Sequence, residues 1–307
     1  SGPVCLATGV LSAGAVGYSL FRIRNTLGDR VVPLMGVMSA GIFAAQMVNF
    51  PVLTGTSGHV LGGVLAAVTL GPWAGAVALT VVLVMQCLLF YDGGVTALGA
   101  NIFNMAVVGS MVGYLIYAPV RRLFAGPAGV VIGSVVAAWF AVVLAALACS
   151  LELAVSGTIA LPVVLPSMTL VHMAIGLGEA LVTGLVIGFL VQVRPDLIYG
   201  YDEQPGAAVR TWQWIGGGLA ISLAVAVFLA PFASEFPDGL EKVAEDLEFI
   251  SAARDDGLAA PMPDYEIPAL EGFWMATSIV GLVGTLAVFV MGWLLARGVR
   301  VGQRGEA

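Results

Sequence analysis

The residue best suited to metal chemistry is His59, one of only two histidines in the chain. It follows Thr56, Ser57 and Gly58 in a stretch rich in small residues. Neutral imidazole is the commonest metal ligand and suits nickel, copper, zinc and iron. One imidazole cannot hold a metal alone, so partners would have to come from other segments; a hydrogen-bonded structural role is the alternative. We expect Thr56 and Ser57 to cap a helix that begins near His59.

The second histidine, His172, shares a long apolar run with Glu179. The two residues are seven apart and therefore lie on one face of a helix. Ionisable side chains within a membrane span are costly, which makes each of them a functional hypothesis. They either support a substrate cavity or relay protons, or they form a polar contact that ties this helix to a neighbour. The sequence does not separate these interpretations.

Two asparagines, Asn101 and Asn104, begin another apolar run and can share a helix face. Amide side chains inside a membrane bundle often bridge helices. They could also hold loops around a site, although the structural role is favoured.

Negative charge is concentrated in one loop, 234–271, which holds eleven of the nineteen acidic residues. Within it, Asp238 and Glu241 belong to a Pro-Asp-Gly-Leu-Glu motif that opens a helix-like pattern. A solvated acidic loop with a short amphipathic helix is the favoured interpretation. A docking or cation-attracting element is the alternative.

The composition of the chain predicts the kind of fold that positions these polar residues. The chain has 307 residues, of which 59% are hydrophobic and 10% charged, and its mean hydropathy is +1.00. A soluble domain has about 45–50% apolar and about 25% charged residues. These values exclude a soluble enzyme, a nucleic-acid binder and a disordered protein, and they predict an all-α integral membrane bundle. The three cysteines lack the spacing of metal ligands, so we interpret them as small apolar fillers.

Nine apolar runs approach the length of about 20 residues that a membrane span requires. The third run is short and ends at Gly71-Pro72, so it either forms a tight helical hairpin with the fourth or is a re-entrant piece. A scheme with seven spans would preserve the same alternation, but nine is favoured. The runs are 4–21, 31–50, 59–71, 73–90, 98–119, 127–150, 165–193, 212–233 and 272–296.

The basic residues predict the orientation of the chain. If the nine runs alternate, ten of the twelve basic residues fall on one side, which the positive-inside rule assigns to the cytoplasm. The N-terminus would then lie outside and the C-terminus inside the plasma membrane of a prokaryote. A polar segment, 194–211, is expected to link a seven-span body, 1–193, to a two-span hairpin, 212–307.

Missing motifs restrict the function further. The only lysine, Lys242, follows a glutamate, so the chain has no phosphate-binding loop GxxxxGK[ST]. It also has no HExxH or GxSxG motif and no potassium-filter sequence. We therefore expect a transporter subunit rather than an enzyme, and any ATP-driven transport would need an ATPase from another subunit.

Several motifs together resemble the CbiM/NikM family, the substrate-binding membrane component of energy-coupling factor transporters for cobalt and nickel. The resemblance covers residues 1–193, and the two-span tail with Pro237-Asp238-Gly239-Leu240-Glu241 is similar to the family's small accessory component. The motifs that carry it are Gly55-Thr56-Ser57-Gly58-His59, Leu61-Gly62-Gly63, Leu70-Gly71-Pro72-Trp73, Gln86-Cys87-Leu88-Leu89-Phe90, Asp92-Gly93-Gly94, Leu98-Gly99-Ala100-Asn101, Asn104-Met105 and Val171-His172-Met173-Ala174-Ile175-Gly176 with Glu179.

This resemblance implies capture of Ni²⁺ or Co²⁺ at the outer face as transported substrate, with no organic cofactor. It implies as partners a membrane coupling protein, two ATPase subunits and the lipid bilayer, and no nucleic acid. The implied ligands are the N-terminal amine, the amide and imidazole of a histidine at the second position, and His59. From the residues themselves, we expect Thr56, Ser57, Asn101, Asn104, His172 and Glu179 either to support the metal site from behind its ligands or to have structural roles.

The sequence departs from the family pattern at its start, which is Ser1-Gly2-Pro3 where the family has Met-His and a short loop. We interpret this as a trimmed or missing leader, and we expect the chain without it to bind metal weakly or not at all. The fused tail favours nickel over cobalt. The alternative function is a stand-alone secondary cation transporter or channel that uses His172 and Glu179.

Overall fold

The fold is a helical bundle with one small β-hairpin, and it confirms the prediction of an all-α membrane protein with many spans. A computed structural model describes residues 2–24, 27–28, 30–53, 55–201, 211–253, 259–267, 270, 273 and 275–304. In chain order the elements are α1 (Gly2–Arg24), α2 (Val31–Gln46), β1 (Phe50–Leu53), β2 (Thr56–Gly58), α3 (Gly63–Leu70), α4 (Pro72–Phe90), α5 (Leu98–Leu123), α6 (Gly126–Val155), α7 (Leu161–Val193), α8 (Thr211–Ala224), α9 (Gly239–Asp246) and α10 (Ala276–Arg304).

Among the described residues, seven helices are long and apolar enough to cross a membrane. They are α1, α4, α5, α6, α7, α8 with its continuation to Phe232, and α10. The predicted count of nine is therefore approximate. The second run contains only the 16-residue helix α2, and the third contains α3, which has eight residues.

Glycine and proline shorten these two runs. The second run loses its last residues to the hairpin, where Pro51 lies in β1. In the third run, Gly62 and Gly71 flank α3 with φ angles of 75° and 85°, which residues with a Cβ rarely adopt. Both ends of residues 57–68 form hydrogen bonds with distant parts of the chain. Ser57 N donates to Pro237 O at one end, and Tyr199 N donates to Val68 O at the other. Residues 57–68 thus connect the acidic loop with the segment that follows α7.

The end of the bundle that carries the segment after α7 is basic. Asp196 lies just after α7 and pairs with Arg194 at 2.7 Å and also with Arg30 from the loop before α2. The Arg194 guanidinium, which donates hydrogen bonds to the carboxylate, lowers the pKa of Asp196 to about 2. Arg121, in the last turn of α5, donates to Gly200 O at 3.0 Å. Basic residues from the loop before α2, the end of α5 and the segment after α7 therefore meet at one end of the bundle.

The two long helices of the tail, α8 and α10, pack directly on the helices that precede them. A Cβ at Gly36 of α2 would come within 2.9 Å of Phe289 O in α10, and one at Gly292 within 3.0 Å of Ser39 Oγ. Small residues let the two backbones approach this closely. Residues from both parts, including Phe43, Phe90 and Val280, form one buried apolar cluster. Of the predicted linker, residues 202–210 lie outside the described part of the chain, as do 254–258, 268–269 and 271–272 of the acidic loop.

Candidate metal-binding cavity

His59 directly follows a β-hairpin and does not begin a helix. Thr56 and Ser57 lie in the second strand of this hairpin, so their predicted capping role is wrong. Strand β2 pairs antiparallel with β1, and Pro51 lies opposite Ser57. Helix α3 begins only at Gly63, and Gly62 at its N-cap position provides no side-chain cap. Glycines at 55, 58 and 62 disfavour an earlier helix. Residues 59–62 are therefore non-helical and link strand β2 to helix α3.

Glu179 holds this non-helical segment in place. Its carboxylate, 1% exposed, accepts hydrogen bonds from Leu61 N at 2.6 Å and Gly62 N at 2.9 Å. Gln46 adds a third restraint because its Nε2 donates to Leu61 O at 2.9 Å. Glu179 thus satisfies backbone donors at the start of α3 from another helix, a task that capping side chains normally perform locally. Three hydrogen bonds fix the backbone directly after His59.

The position of the ring proton on His59 follows from its hydrogen bond. Nδ1 lies 3.1 Å from Val60 O. A carbonyl oxygen can only accept, so Nδ1 carries the proton and Nε2 keeps a lone pair. A neighbouring carbonyl that fixes the tautomer in this way is a common feature of metal-ligating histidines. His59 is half-buried and lines a cavity, where its Nε2 can accept a hydrogen bond or bind a ligand.

His172 has the same tautomer but a more crowded surrounding. Its Nδ1 donates to Met168 O at 2.8 Å, one turn earlier in α7. Its Nε2 faces Gly239, where a Cβ would come within 3.1 Å of it. The imidazole therefore packs against the backbone of the acidic loop. Glu179, although on the same helix, lies behind the 59–62 segment and does not line the cavity.

The start of the acidic loop closes one side of this cavity. Ser57 donates from its backbone N to Pro237 O at 2.9 Å and from Oγ to Phe236 O at 2.7 Å. Asp238 then begins α9 by accepting hydrogen bonds from Leu240 N and Glu241 N, and Glu241 returns a contact to Asp238 N. This reciprocal arrangement is a capping box, and it confirms the predicted helix. Burial and the nearby Asp238 carboxylate raise the pKa of Glu241.

The end of the same loop reaches the cavity from the other side. Tyr265 stacks on Phe90 with ring centroids 4.6 Å apart, and its hydroxyl donates to Asp92 at 2.6 Å. Gln86 Nε2 donates to the Tyr265 hydroxyl at 3.2 Å. The turn after Asp92 packs on Asn101, because a Cβ at Gly93 would collide with the Asn101 amide. The loop thus contacts both the His59 hairpin and the Asp92 turn.

The cavity between these elements has a volume of about 220 Å³. It brings together five of the residues singled out in the sequence, namely His59, Asn101, Asn104, His172 and Asp238. Thr56, Ser57, Glu179 and Glu241 do not line it. The sequence analysis quoted Gln86 only as part of a family motif, although a lone amide in an apolar run indicates a site residue and Gln86 lines the cavity. It also quoted Asp92 only as part of a motif and took Cys149 as a filler, yet both line the cavity.

The described residues alone do not complete a metal site. They contain no group of three or more His, Cys, Asp or Glu side chains that could hold a metal ion. What the cavity offers is one imidazole nitrogen with a free lone pair, a second imidazole, amide oxygens and the carboxylates of Asp92 and Asp238. This set of groups suits a transition-metal dication, provided that water or other protein groups supply the remaining ligands.

The fold and this cavity define a class: a membrane-embedded helical protein with a polar, imidazole-containing cavity at its acidic end. The chain belongs to the CbiM family, described as the cobalt uptake substrate-specific transmembrane region, whose model matches residues 1–197. A PDGLE domain matches residues 212–301.

Relatives with known descriptions are metal transport proteins. The "Putative fused nickel transport protein NikMN" of Archaeoglobus fulgidus is 38% identical over 94% of this chain and 92% of its own length. The fused nickel transport protein NikMN of Rhodobacter capsulatus is 29% identical over 93% of this chain and 92% of its own length. The crystal structure of a truncated transition metal transporter matches with a TM-score of 0.57 and 35% identity, and the match covers 62% of this chain and 95% of that one.

Proposed function

We propose that this chain is the substrate-specificity subunit of an ATP-driven importer of the energy-coupling factor type, and that it captures Ni²⁺ or Co²⁺ at the outer face. The observation that carries the proposal is His59: its Nδ1 bonds to Val60 O, its Nε2 is left for a ligand in the cavity, and Glu179 and Gln46 fix the backbone of the residues that follow it, 61 and 62. A fixed imidazole with a defined tautomer binds a transition metal without a large ordering cost.

The remaining ligands are proposed from the family resemblance, which assigns them to an N-terminal amine and a histidine at the second position. Four nitrogens in a plane suit nickel, and nickel precedes cobalt in affinity at a given nitrogen site. The two fused relatives described above are also named for nickel. We therefore propose nickel as the first substrate and cobalt as the second.

The proposed partners are a membrane coupling protein and two ATPase subunits, because the chain has no phosphate-binding loop of its own. The proposed orientation places the basic end in the cytoplasm and the acidic end with the His59 cavity outside. Asp92 is exposed and lines the cavity. The acidic loop contributes Asp238 to the cavity lining, and its Tyr265 bonds to Asp92. Negative charge at this end would raise the local concentration of dications before capture.

The alternative function, a stand-alone cation transporter that uses His172 and Glu179, has less support. Both carboxylate oxygens of Glu179 already accept backbone hydrogen bonds, and Nε2 of His172 faces Gly239. Glu179 does not line the cavity, and the His172 imidazole that does is packed against the backbone of Gly239.

A competition experiment tests metal capture. Purified protein with its natural N-terminus is titrated with Ni²⁺ and Co²⁺ in a large excess of Mg²⁺ and Ca²⁺. We expect saturable binding of one metal per chain that the excess does not displace, because imidazole prefers nickel and cobalt while Mg²⁺ and Ca²⁺ prefer oxygen. Displacement of Ni²⁺ by Mg²⁺ or Ca²⁺ would contradict the proposal.

A further inference from the structure

Asn104 and Glu152 form a polar pair beside the cavity. Asn104 lies in the π-helical part of α5 (Ile102–Val112), is 7% exposed and lines the cavity. Its Nδ2 donates to Glu152 Oε2 of α6 at 2.9 Å. Glu152 itself is not part of the cavity lining and faces a groove beside the start of α1. The carboxylate therefore contacts the cavity only through the amide.

The carboxylate determines which way the amide points. The NH₂ group of Asn104 faces Glu152 Oε2, and a carboxylate, which accepts hydrogen bonds and cannot donate, favours this orientation of the amide. Oδ1 is then the polar atom left on the other side of the amide. Within the described part of the chain, the buried Oδ1 has no hydrogen-bond partner. The buried Oε1 of Glu152 lacks one as well.

A buried oxygen without a donor is costly, so its presence needs an explanation. If the pair only tied α5 to α6, nothing would require the second oxygen to stay unpaired beside a cavity. A π-helical segment also costs stability and occurs mostly at functional sites. Both features are explained if Oδ1 has a positively charged partner that enters the cavity.

We propose that Glu152 is a positioning residue that turns Asn104 Oδ1 towards the metal bound at His59, where the oxygen contacts the dication or a water molecule on it. The inference rests on the proposed function, since it requires the dication in this cavity. It adds an oxygen contact to an otherwise nitrogen-rich site. An oxygen from a carboxamide is an acceptable ligand for nickel and cobalt as well as an acceptor for metal-bound water.

The test is a set of Co²⁺ titrations of the full protein with its natural N-terminus, followed by the visible absorption of bound Co²⁺. The variants are Asn104→Ala, Glu152→Gln and the double variant. We expect Asn104→Ala to weaken binding about tenfold, since a hydrogen bond or ligand contact to a charged group is lost. Glu152→Gln should weaken it by several-fold, because a neutral amide no longer dictates how Asn104 points.

The double variant distinguishes positioning from a direct role. If Glu152 acts through Asn104, the Glu152→Gln change has no further effect once Asn104 is alanine. A changed cobalt spectrum in Asn104→Ala indicates direct ligation, and weaker binding with an unchanged spectrum indicates contact through water. Ser150→Ala is the matched control: it removes a buried hydroxyl of α6 that bonds within its own helix to Ala146 O, and it should leave binding unchanged.

Three results would overturn the inference. They are unchanged affinity in both single variants, a Glu152→Gln effect that persists in the Asn104→Ala background, and an equal loss in the Ser150→Ala control. Asn104→Ser, which also lacks the carbonyl oxygen, replaces Asn104→Ala if the alanine variant does not fold. His59→Ala is titrated in parallel. Wild-type affinity in that variant would reject the proposed function, whereas loss there alone would reject only the role of Asn104 and Glu152.

Discussion

His59→Ala should reduce the affinity for Ni²⁺ by more than about a hundredfold, since loss of even an outer partner of a metal ligand costs about 10–100-fold. The reason lies in the cavity: both histidines line it with Nδ1 on a carbonyl oxygen, but Nε2 of His172 packs against Gly239, which leaves His59 as the candidate ligand among the described residues. The backbone around it should stay folded, because Glu179 and Gln46 bond to residues 61 and 62 and not to the imidazole. Isothermal titration with Ni²⁺ measures the loss.

The second histidine of the cavity is the natural comparison for this variant. His172→Ala removes an imidazole of the same cavity whose Nε2 faces Gly239. We expect a clearly smaller loss of affinity than for His59→Ala. Equal losses in the two variants, or unchanged binding in His59→Ala, would contradict the assignment of His59 as the ligand.

Glu179→Ala should lower the free energy of unfolding by about 2–5 kcal/mol, because two buried backbone donors lose their acceptor. The donors are Leu61 N and Gly62 N, and the carboxylate that they contact is 1% exposed. Metal affinity should fall at the same time, since the segment after His59 loses two of its three restraints. Glu179→Gln keeps one acceptor oxygen and should give an intermediate loss.

Denaturant unfolding in detergent and Ni²⁺ titration measure these two effects. Thr183→Val serves as the control, because Thr183 lies one turn further along α7 and is similarly buried, and among the described residues the hydrogen bonds to Leu61 N and Gly62 N come from Glu179. We expect it to leave nickel binding unchanged. Wild-type nickel binding and stability in Glu179→Ala would show that the carboxylate does not position His59.

The hydropathy pattern was sufficient to predict the class of fold, because a membrane bundle is determined by apolar length and charge placement. It could not predict that α2 and α3 are shorter than the seven helices that are long and apolar enough to cross a membrane. Both runs are apolar, but the hairpin and the left-handed Gly62 and Gly71 interrupt the helices. Composition cannot reveal such interruptions, since glycine is also common within membrane helices.

Parts of the site could be predicted from the sequence, because polar and ionisable residues are rare in such a hydrophobic chain. His59, His172 and the two asparagines are polar groups in or beside apolar runs, and the structure brings them to one cavity. Their partners were not accessible. Tyr265 reaches Asp92 across 173 positions and Glu179 reaches Leu61 across 118, and no local spacing encodes such contacts. The tasks of Glu179 and Ser57 followed only from their hydrogen bonds.

The acidic loop shows how a surface property and a structural role combine. Its charge favoured a solvated loop in the sequence, yet its two ends bond to Ser57 and Asp92 on different sides of the cavity. We propose that it both attracts dications and holds the walls of the cavity together. Asp238 and Glu241 serve first to start α9 through the capping box, and only Asp238 also lines the cavity.

The most direct test of the central proposal is uptake of radioactive nickel by cells that produce this protein with its natural N-terminus, with or without the coupling protein and the ATPase subunits. We predict uptake that requires the ATPase and that disappears in His59→Ala. Nickel uptake by this chain without any ATPase partner would contradict the account and would instead support the stand-alone cation transporter.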